Sequence, residues 1–287
     1  MSNLRDIKQR IVSVKKTKKI TQAMKMVAAA KFKRSQKKLD HAKEYGQALR
    51  DILADMAARL EEDGLPELML PNGIEKEAVV IIAGDRGLCG GFNNNILKAA
   101  LTYIQEKGEE KVELYLIGNK TASFFKSKPF TIAANHTHII DGINEEGIKP
   151  ILAPIIEGYI QKKYGKVKLF YNEFVSAITN NQEQKQLLPL NLEGWDPKKH
   201  LNQSDYQYEA DKKSVLGQFV SEYVVYEVFE GMLNSQAAEE GSRMAAMDSA
   251  SQNATDVVYD LTLQYNRSRQ AAITTEISEI VAGAASL

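Results

Sequence analysis

Glycines, a thiol and charged side chains crowd into Gly84-Asp85-Arg86-Gly87-Leu88-Cys89-Gly90-Gly91, directly after the apolar run Ala78-Val79-Val80-Ile81-Ile82-Ala83. A glycine-rich turn between a strand and a helix can cradle phosphate, because backbone N–H groups and the helix N-terminus converge on an anion there. The turn lacks the Gly-Lys-Ser/Thr ending of a Walker loop, and its glycine spacing is not the dinucleotide fingerprint. The reading that fits better is a structural turn using glycine for positive φ and close packing. Cys89 is the chain's one cysteine. It has no histidine at a spacing that suggests a nucleophile's partner, so a small buried thiol is expected. His136 and His138 alternate as strand neighbours do, but two imidazoles without further ligands make a poor metal site. Asp141, Glu145 and Glu146 resemble an acid pair no more than many of the 37 carboxylates do. The expectation is no catalytic residue, no cofactor, no metal and no direct small-molecule substrate.

The elements that carry these residues divide sharply along the chain. All seven prolines of the 287 residues lie between Pro66 and Pro197. Both ends are therefore free to form very long helices around a conventional middle. A helix from Asn3 to about Leu60 would run roughly 85 Å, and one from Asp211 to Leu287 roughly 115 Å. Rods of that length need their apolar stripes buried, and an antiparallel coiled coil of the two is the economical solution. The expected organisation is an N-terminal coiled-coil helix over 1–65, an inserted α/β domain over 74–200 and a C-terminal coiled-coil helix over 208–287.

In the first rod Ile7, Ile11 and Val14 form a stripe that Ile20, Met24, Val27 and Ala28 continue after a slip in register, which predicts a stutter. In the middle, strands are expected at 78–83, 112–117 and 167–171, and helices at 96–107, 121–125 and around 151–160. Leu187-Leu188-Pro189 is expected on an edge. Alternating strands and helices indicate a largely parallel, doubly wound, Rossmann-like sheet. In the second rod the apolar stripe runs from Tyr226 and Phe229 through Met244, Met247, Ala254 and Leu261 to Ile273, Ile277 and Ile280. Its 235–254 stretch is rich in Ala, Ser and Gly, which predicts a thin rod with its partner helix close. If the rods pair from the base of the inserted domain, residues 267–287 overhang. The overhang ends Ile280-Val281-Ala282-Gly283-Ala284-Ala285-Ser286-Leu287, apolar nearly all round, and predicts a partner with an apolar sleeve.

Composition narrows the function classes. A hydrophobic fraction of 44% with 26% charged residues is that of an ordinary soluble protein. The sequence shows no apolar signal core, so the chain is expected to stay on the side where it is made. Zero net charge conceals a polarity: residues 1–50 carry 15 Lys/Arg against three acids, and the remainder 22 against 34. A solvated face or pairing with the acidic C-terminal half explains part of it. Nucleic acid is not expected, since few aromatics and no binding motif accompany the lysines. An acidic protein partner fits better.

Three segments in order carry a family resemblance: Lys19-Ile20-Thr21-Gln22-Ala23-Met24-Lys25-Met26-Val27-Ala28-Ala29-Ala30-Lys31, Asp85-Arg86-Gly87-Leu88-Cys89-Gly90-Gly91-Phe92-Asn93, and Ile273-Thr274-Thr275-Glu276-Ile277-Ser278-Glu279-Ile280-Val281-Ala282-Gly283-Ala284. Together they resemble the gamma subunits of F-type ATP synthases. The resemblance implies a central rotor that turns inside a ring of alpha and beta subunits, with the epsilon subunit and the membrane c-ring as further partners. It implies a bacterial protein peripheral to the cytoplasmic side of the plasma membrane, because the inserted cysteine pair of chloroplast relatives is missing. It places Lys25 and Arg243 where the shaft meets the beta lever arms, Arg269 and Gln270 near loops higher up, and Ile280 and Leu287 in the tip. The competing reading is an α/β enzyme with a coiled-coil arm that docks a substrate or RNA, and a third is a purely structural tether.

Overall fold

The computed structural model describes residues 4–59, 64–140, 142, 144–191 and 211–285. The chain forms α1 (Leu4–Ala58), β1 (Glu77–Ile82), α2 (Phe92–Lys107), β2 (Val112–Ile117), α3 (Asn119–Phe125), β3 (Thr131–His136), α4 (Glu145–Ile160), β4 (Lys166–Phe174), β5 (Asn180–Leu188) and α5 (Lys212–Ala285). Two compact units result, Ala30–Ser242 and the pairing of Met1–Ala29 with Arg243–Leu287.

In the Ala30–Ser242 unit the sheet order is β3-β2-β1-β4-β5. β1 pairs in parallel with β2 and β4, β2 in parallel with β3, and β5 is an antiparallel edge on β4. Every residue of β1 and β2 is buried, as continuous apolar runs covered on both faces require. Val79 and Ile81 face α2 and α3 through Ile96, Leu97, Ile104 and Phe125. Ala78, Val80 and Ile82 face the opposite core, with Leu152, Ile155 and Tyr159 of α4 and Val224, Val228 and Met232 of α5.

α4 keeps helical form through Pro150 and Pro154. Both prolines lie on its exposed side, where the carbonyls they free can bond to water. Asn144 caps the helix by accepting from Gly147 N at 2.9 Å. β3 carries no apolar run, because it is an edge strand whose first three residues are exposed; that explains why sequence pattern alone did not assign it.

The two long helices run antiparallel in this unit. Lys31 meets Glu240, the Tyr226 hydroxyl donates to Ala42 O at 2.6 Å, and Arg50 meets Glu227, so α5 descends as α1 ascends. Gly46 admits the Tyr226 ring: a Cβ there would lie 2.1 Å from Tyr226 Oη. The small residues of α5 also admit the sheet. A Cβ on Gly231 would lie 3.1 Å from Leu169 Cδ2, and one on Gly241 2.8 Å from Ala177 O. The expectation that the small residues of 235–254 serve the partner helix is thus corrected at Gly241, whose close neighbour is the β4–β5 hairpin.

The first rod's predicted stutter is corrected. In the Met1–Ala29 segment buried and half-buried positions recur at Ile7, Ile11, Val14, Lys18, Thr21, Lys25 and Ala28, alternately four and three apart, with Met24 half-buried beside Lys25. The same spacing holds from Phe32 through Ser35, Leu39, Ala42, Gly46 and Leu49 to Leu53 and Met56 in the larger unit. That is an unbroken 3.5-residue repeat. The slip belongs to the apolar residues alone: Ile20 and Val27 are 60% and 59% exposed, whereas Ala28 is 1% exposed.

Candidate functional site

The glycine-rich turn sits at the carboxyl end of β1, beside the point where the strand order reverses between β1 and β4. Open α/β sheets bind ligands in that crevice. Here α5 fills it, and a Cβ on Gly84 would fall 2.7 Å from Glu239 Oε1. Asp85 of the turn and Asn93 of α2 brace it. Asn93 Oδ1 accepts from Gly84 N at 2.8 Å while its Nδ2 donates to Arg86 O at 3.0 Å. Asp85 Oδ1 accepts from the backbone N–H groups of Asn119 and His138 at 2.8 and 3.1 Å. Gly90, at φ 59, supplies the left-handed backbone expected of it, and Leu88 adopts φ 62. Cys89 is 2% exposed and packs with Phe92 and Ala238. The structural reading of the turn and of the buried thiol therefore holds.

Of the imidazoles, burial lowers the pKa of half-buried His136, and exposed His138 contributes its backbone to the Asp85 brace. Glu145 and Glu146 lie in the first turn of α4, and Asp141 lies outside the described residues. Among the described residues no cluster of three or more metal-ligating side chains assembles.

The residues expected to contact partners fall in the smaller unit. Lys25 Nζ pairs with Asp248 Oδ1 at 2.6 Å, both side chains substantially exposed. Arg243 is buried. Arg269 and Gln270 are exposed, with Gln270 O accepting the Thr274 hydroxyl at 2.9 Å. Among the described residues the last buried one of α5 is Leu261. Beyond it Ile273, Ile277, Ile280 and Val281 are 46%, 55%, 71% and 62% exposed. Leu287 lies outside the described residues.

Sequence reasoning missed a buried charged junction in the larger unit. Glu227 of α5 accepts from Lys185 of β5 and from the Tyr223 hydroxyl, and Arg50 Nη1 of α1 stands 3.6 Å from Glu227 Oε1. Burial alone would lower the Arg50 pKa, but Tyr223, Glu230 and Glu227 raise it above its ordinary value, so the guanidinium stays charged. Burial and then Glu227 push the Tyr223 hydroxyl up, which keeps it a donor. The available signal was acidic residues on an otherwise apolar helix, facing Arg50 and Lys185 across sequence gaps that only the fold closes.

These features define a class: an α/β sheet bracketed by two long terminal helices, with an end of α5 that presents apolar side chains to solvent. A family model described as ATP synthase matches residues 3–287. The ATP synthase gamma chain of Geobacter sp. (strain M21) is 41% identical over 289 residues, covering 100% of this chain and 99% of that one. That of Heliobacterium modesticaldum is 38% identical over 292 residues, with 100% of each chain covered. The chain belongs to the ATP synthase gamma-chain family. Among solved structures it is similar to a chain of the central stalk and c-ring assembly of the Tetrahymena thermophila mitochondrial ATP synthase, at 25% identity and TM-score 0.61, covering 81% of this chain and 99% of that one. A chain of the Euglena gracilis mitochondrial ATP synthase rotor shares the fold at TM-score 0.66 and 20% identity, with 94% and 98% covered.

Proposed function

We propose that this chain is the central rotor shaft of an F-type ATP synthase, coupling ion flow through the membrane ring to conformational change at catalytic sites on the beta subunits. The observation that carries the reading is the apolar end of α5, where four large aliphatic side chains beyond Leu261 stand in solvent. An apolar patch of that kind marks an interaction surface. The alpha and beta subunits supply its sleeve, while the epsilon subunit and the c-ring meet the inserted domain.

The physics follows from asymmetry. Three chemically identical sites differ only if something without threefold symmetry biases each one, and a two-helix shaft offers each beta subunit a different face. The chain itself contributes no catalytic group, binds no nucleic acid and takes no small-molecule substrate. No described helix is long and apolar enough to cross a membrane; a peripheral place on the cytoplasmic side of a bacterial plasma membrane follows from the rotor reading. Residues 1–65 and 208–287 act as shaft and 74–200 as the foot. Lys25 and Arg243 bear on the beta lever arms, Arg269 and Gln270 on the loops that catch the shaft higher up, and Ile280 and Leu287 sit in the sleeve.

The test is ATP hydrolysis by alpha and beta subunits of the same organism with and without the chain, with a bead on the inserted domain. Stimulated hydrolysis with unidirectional steps of about one third of a turn supports the rotor. Failure to associate and to stimulate returns the chain to the reading of an α/β enzyme with a docking arm.

A further inference from the structure

Glu227 has 4% side-chain exposure and is approached from three elements at once. Lys185 Nζ of β5 donates to Oε2. Tyr223, one turn earlier on α5, donates its hydroxyl to Oε1. Arg50 Nη1 of α1 lies 3.6 Å from the same Oε1. Glu230, one turn later, holds Oε2 4.0 Å from that guanidinium nitrogen, and this oxygen has no hydrogen-bond partner. Two carboxylates thus face two cations, but Arg50 and Lys185 share Glu227.

Several other polar links join α5 to one side only. Ser235 Oγ accepts from Asn172 N at 3.2 Å and Asn234 Oδ1 from Phe174 N at 3.3 Å, both on the sheet. Tyr226 bonds to α1. Glu227 reaches α1 and the sheet through one carboxylate. Apolar packing around it resists separation and interdigitation resists sliding, and Glu227 adds to these a polar link to both sides. The Lys185–Glu227 contact is a charge-assisted hydrogen bond and therefore directional, the Arg50–Glu227 contact at 3.6 Å is an ion pair, and displacing either cation removes one of the two charges that compensate a buried carboxylate. A junction of this type therefore opposes shear between the helices and the sheet.

We propose that Glu227 is a positioning residue for torque transfer: by holding Arg50 of α1 and Lys185 of β5 on one carboxylate, it makes the helix pair and the sheet turn together under load. The inference rests on the rotor reading. Its test uses the complete complex in sealed vesicles, with the wild type, Lys185→Gln, Arg50→Gln and the double variant. Hydrolysis is measured with the membrane made leaky, which removes the load, and ATP synthesis is measured against an imposed ion gradient.

The expected result is unloaded hydrolysis within about twofold of wild type in all variants, and loaded synthesis reduced about threefold or more in each single variant. The double variant should match the singles, because two limbs in series through one carboxylate are not additive. Glu227→Gln should behave alike; if it fails to assemble, the Lys185→Gln result decides. The proposal is overturned if loaded and unloaded rates fall in the same proportion, which is all a purely stabilising role would produce. It is equally overturned if the ratio stays at the wild-type value, or if the two single losses multiply. Failure of the rotor reading itself is separate, since it would show as no hydrolysis coupled to turning in the wild type.

Discussion

At the scale of single residues, shape and charge make separable contributions. Gly46 is glycine because the Tyr226 ring occupies the place of its side chain. Gly46→Ala forces that ring away from its bond to Ala42 O, so overpacking should cost about 1–3 kcal/mol of stability, read as a lowered melting temperature. Glu113 shows the electrostatic counterpart. Burial alone would raise its pKa, but Lys163 and Lys76, at 2.8 and 2.7 Å, lower it below the ordinary carboxylate value. A depressed folded-state pKa stabilises the protein above the unfolded-state pKa, and that stabilisation is lost as pH falls through the folded-state value. Both lysines are more than a third exposed, so the effect should be only about 1 kcal/mol. Glu113→Gln should therefore melt below wild type near neutral pH, with the two curves converging as pH drops under about 4. A gap that persists unchanged at low pH would assign the loss to packing.

At the scale of elements, the seam of α1 in the smaller unit is the informative case. Its 3.5-residue repeat places the half-buried Lys18 and the buried Thr21 on the seam while Ile20 and Val27 face solvent. A polar residue at an inward heptad position costs stability. Lys18→Leu should accordingly stabilise the helix pair by about 1 kcal/mol, whereas Val27→Ser should change it by less than about 0.5 kcal/mol. Amide exchange along α1 distinguishes the two, and a large loss from Val27→Ser would restore the stuttered register. The same pattern explains why apolar periodicity misread this stretch. Apolar periodicity marks where apolar residues recur, whereas the seam is set by which positions face the second helix, and Lys18 and Thr21 hold seam positions without being apolar.

At the scale of the whole molecule, the function proposed is mechanical, and the relevant energies are those of many exposed contacts. Surface ion pairs worth about 0–1 kcal/mol each suit a contact that must slide, since strong buried pairs would hold the shaft at one angle. Arg269 is exposed, so Arg269→Ala should weaken coupling modestly, with ATP synthesis in the reconstituted complex falling no more than about threefold. Complete loss of synthesis with normal assembly would show that torque rests on that one contact. The buried junction at Glu227 is the complement: a strong, directional contact belongs inside the rotor, where nothing should slide.

The sequence by itself determined the large divisions. Proline-free ends dictated two long helices, two strongly apolar runs dictated the buried strands β1 and β2, and the glycine-rich turn was readable as structural because its spacing fits no phosphate loop. Three segments were enough to indicate the family. These features are local, so chain chemistry fixes them without reference to distant neighbours. Tertiary structure alone decided the rest. The edge strand β3 has no apolar run because half of its surroundings are water. The crevice at the strand-order reversal is filled by Glu239 from more than a hundred residues away. Glu227, Arg50 and Lys185 form one site only because α5, α1 and β5 converge, and a carboxylate's partners are set by that convergence and not by its neighbours in sequence.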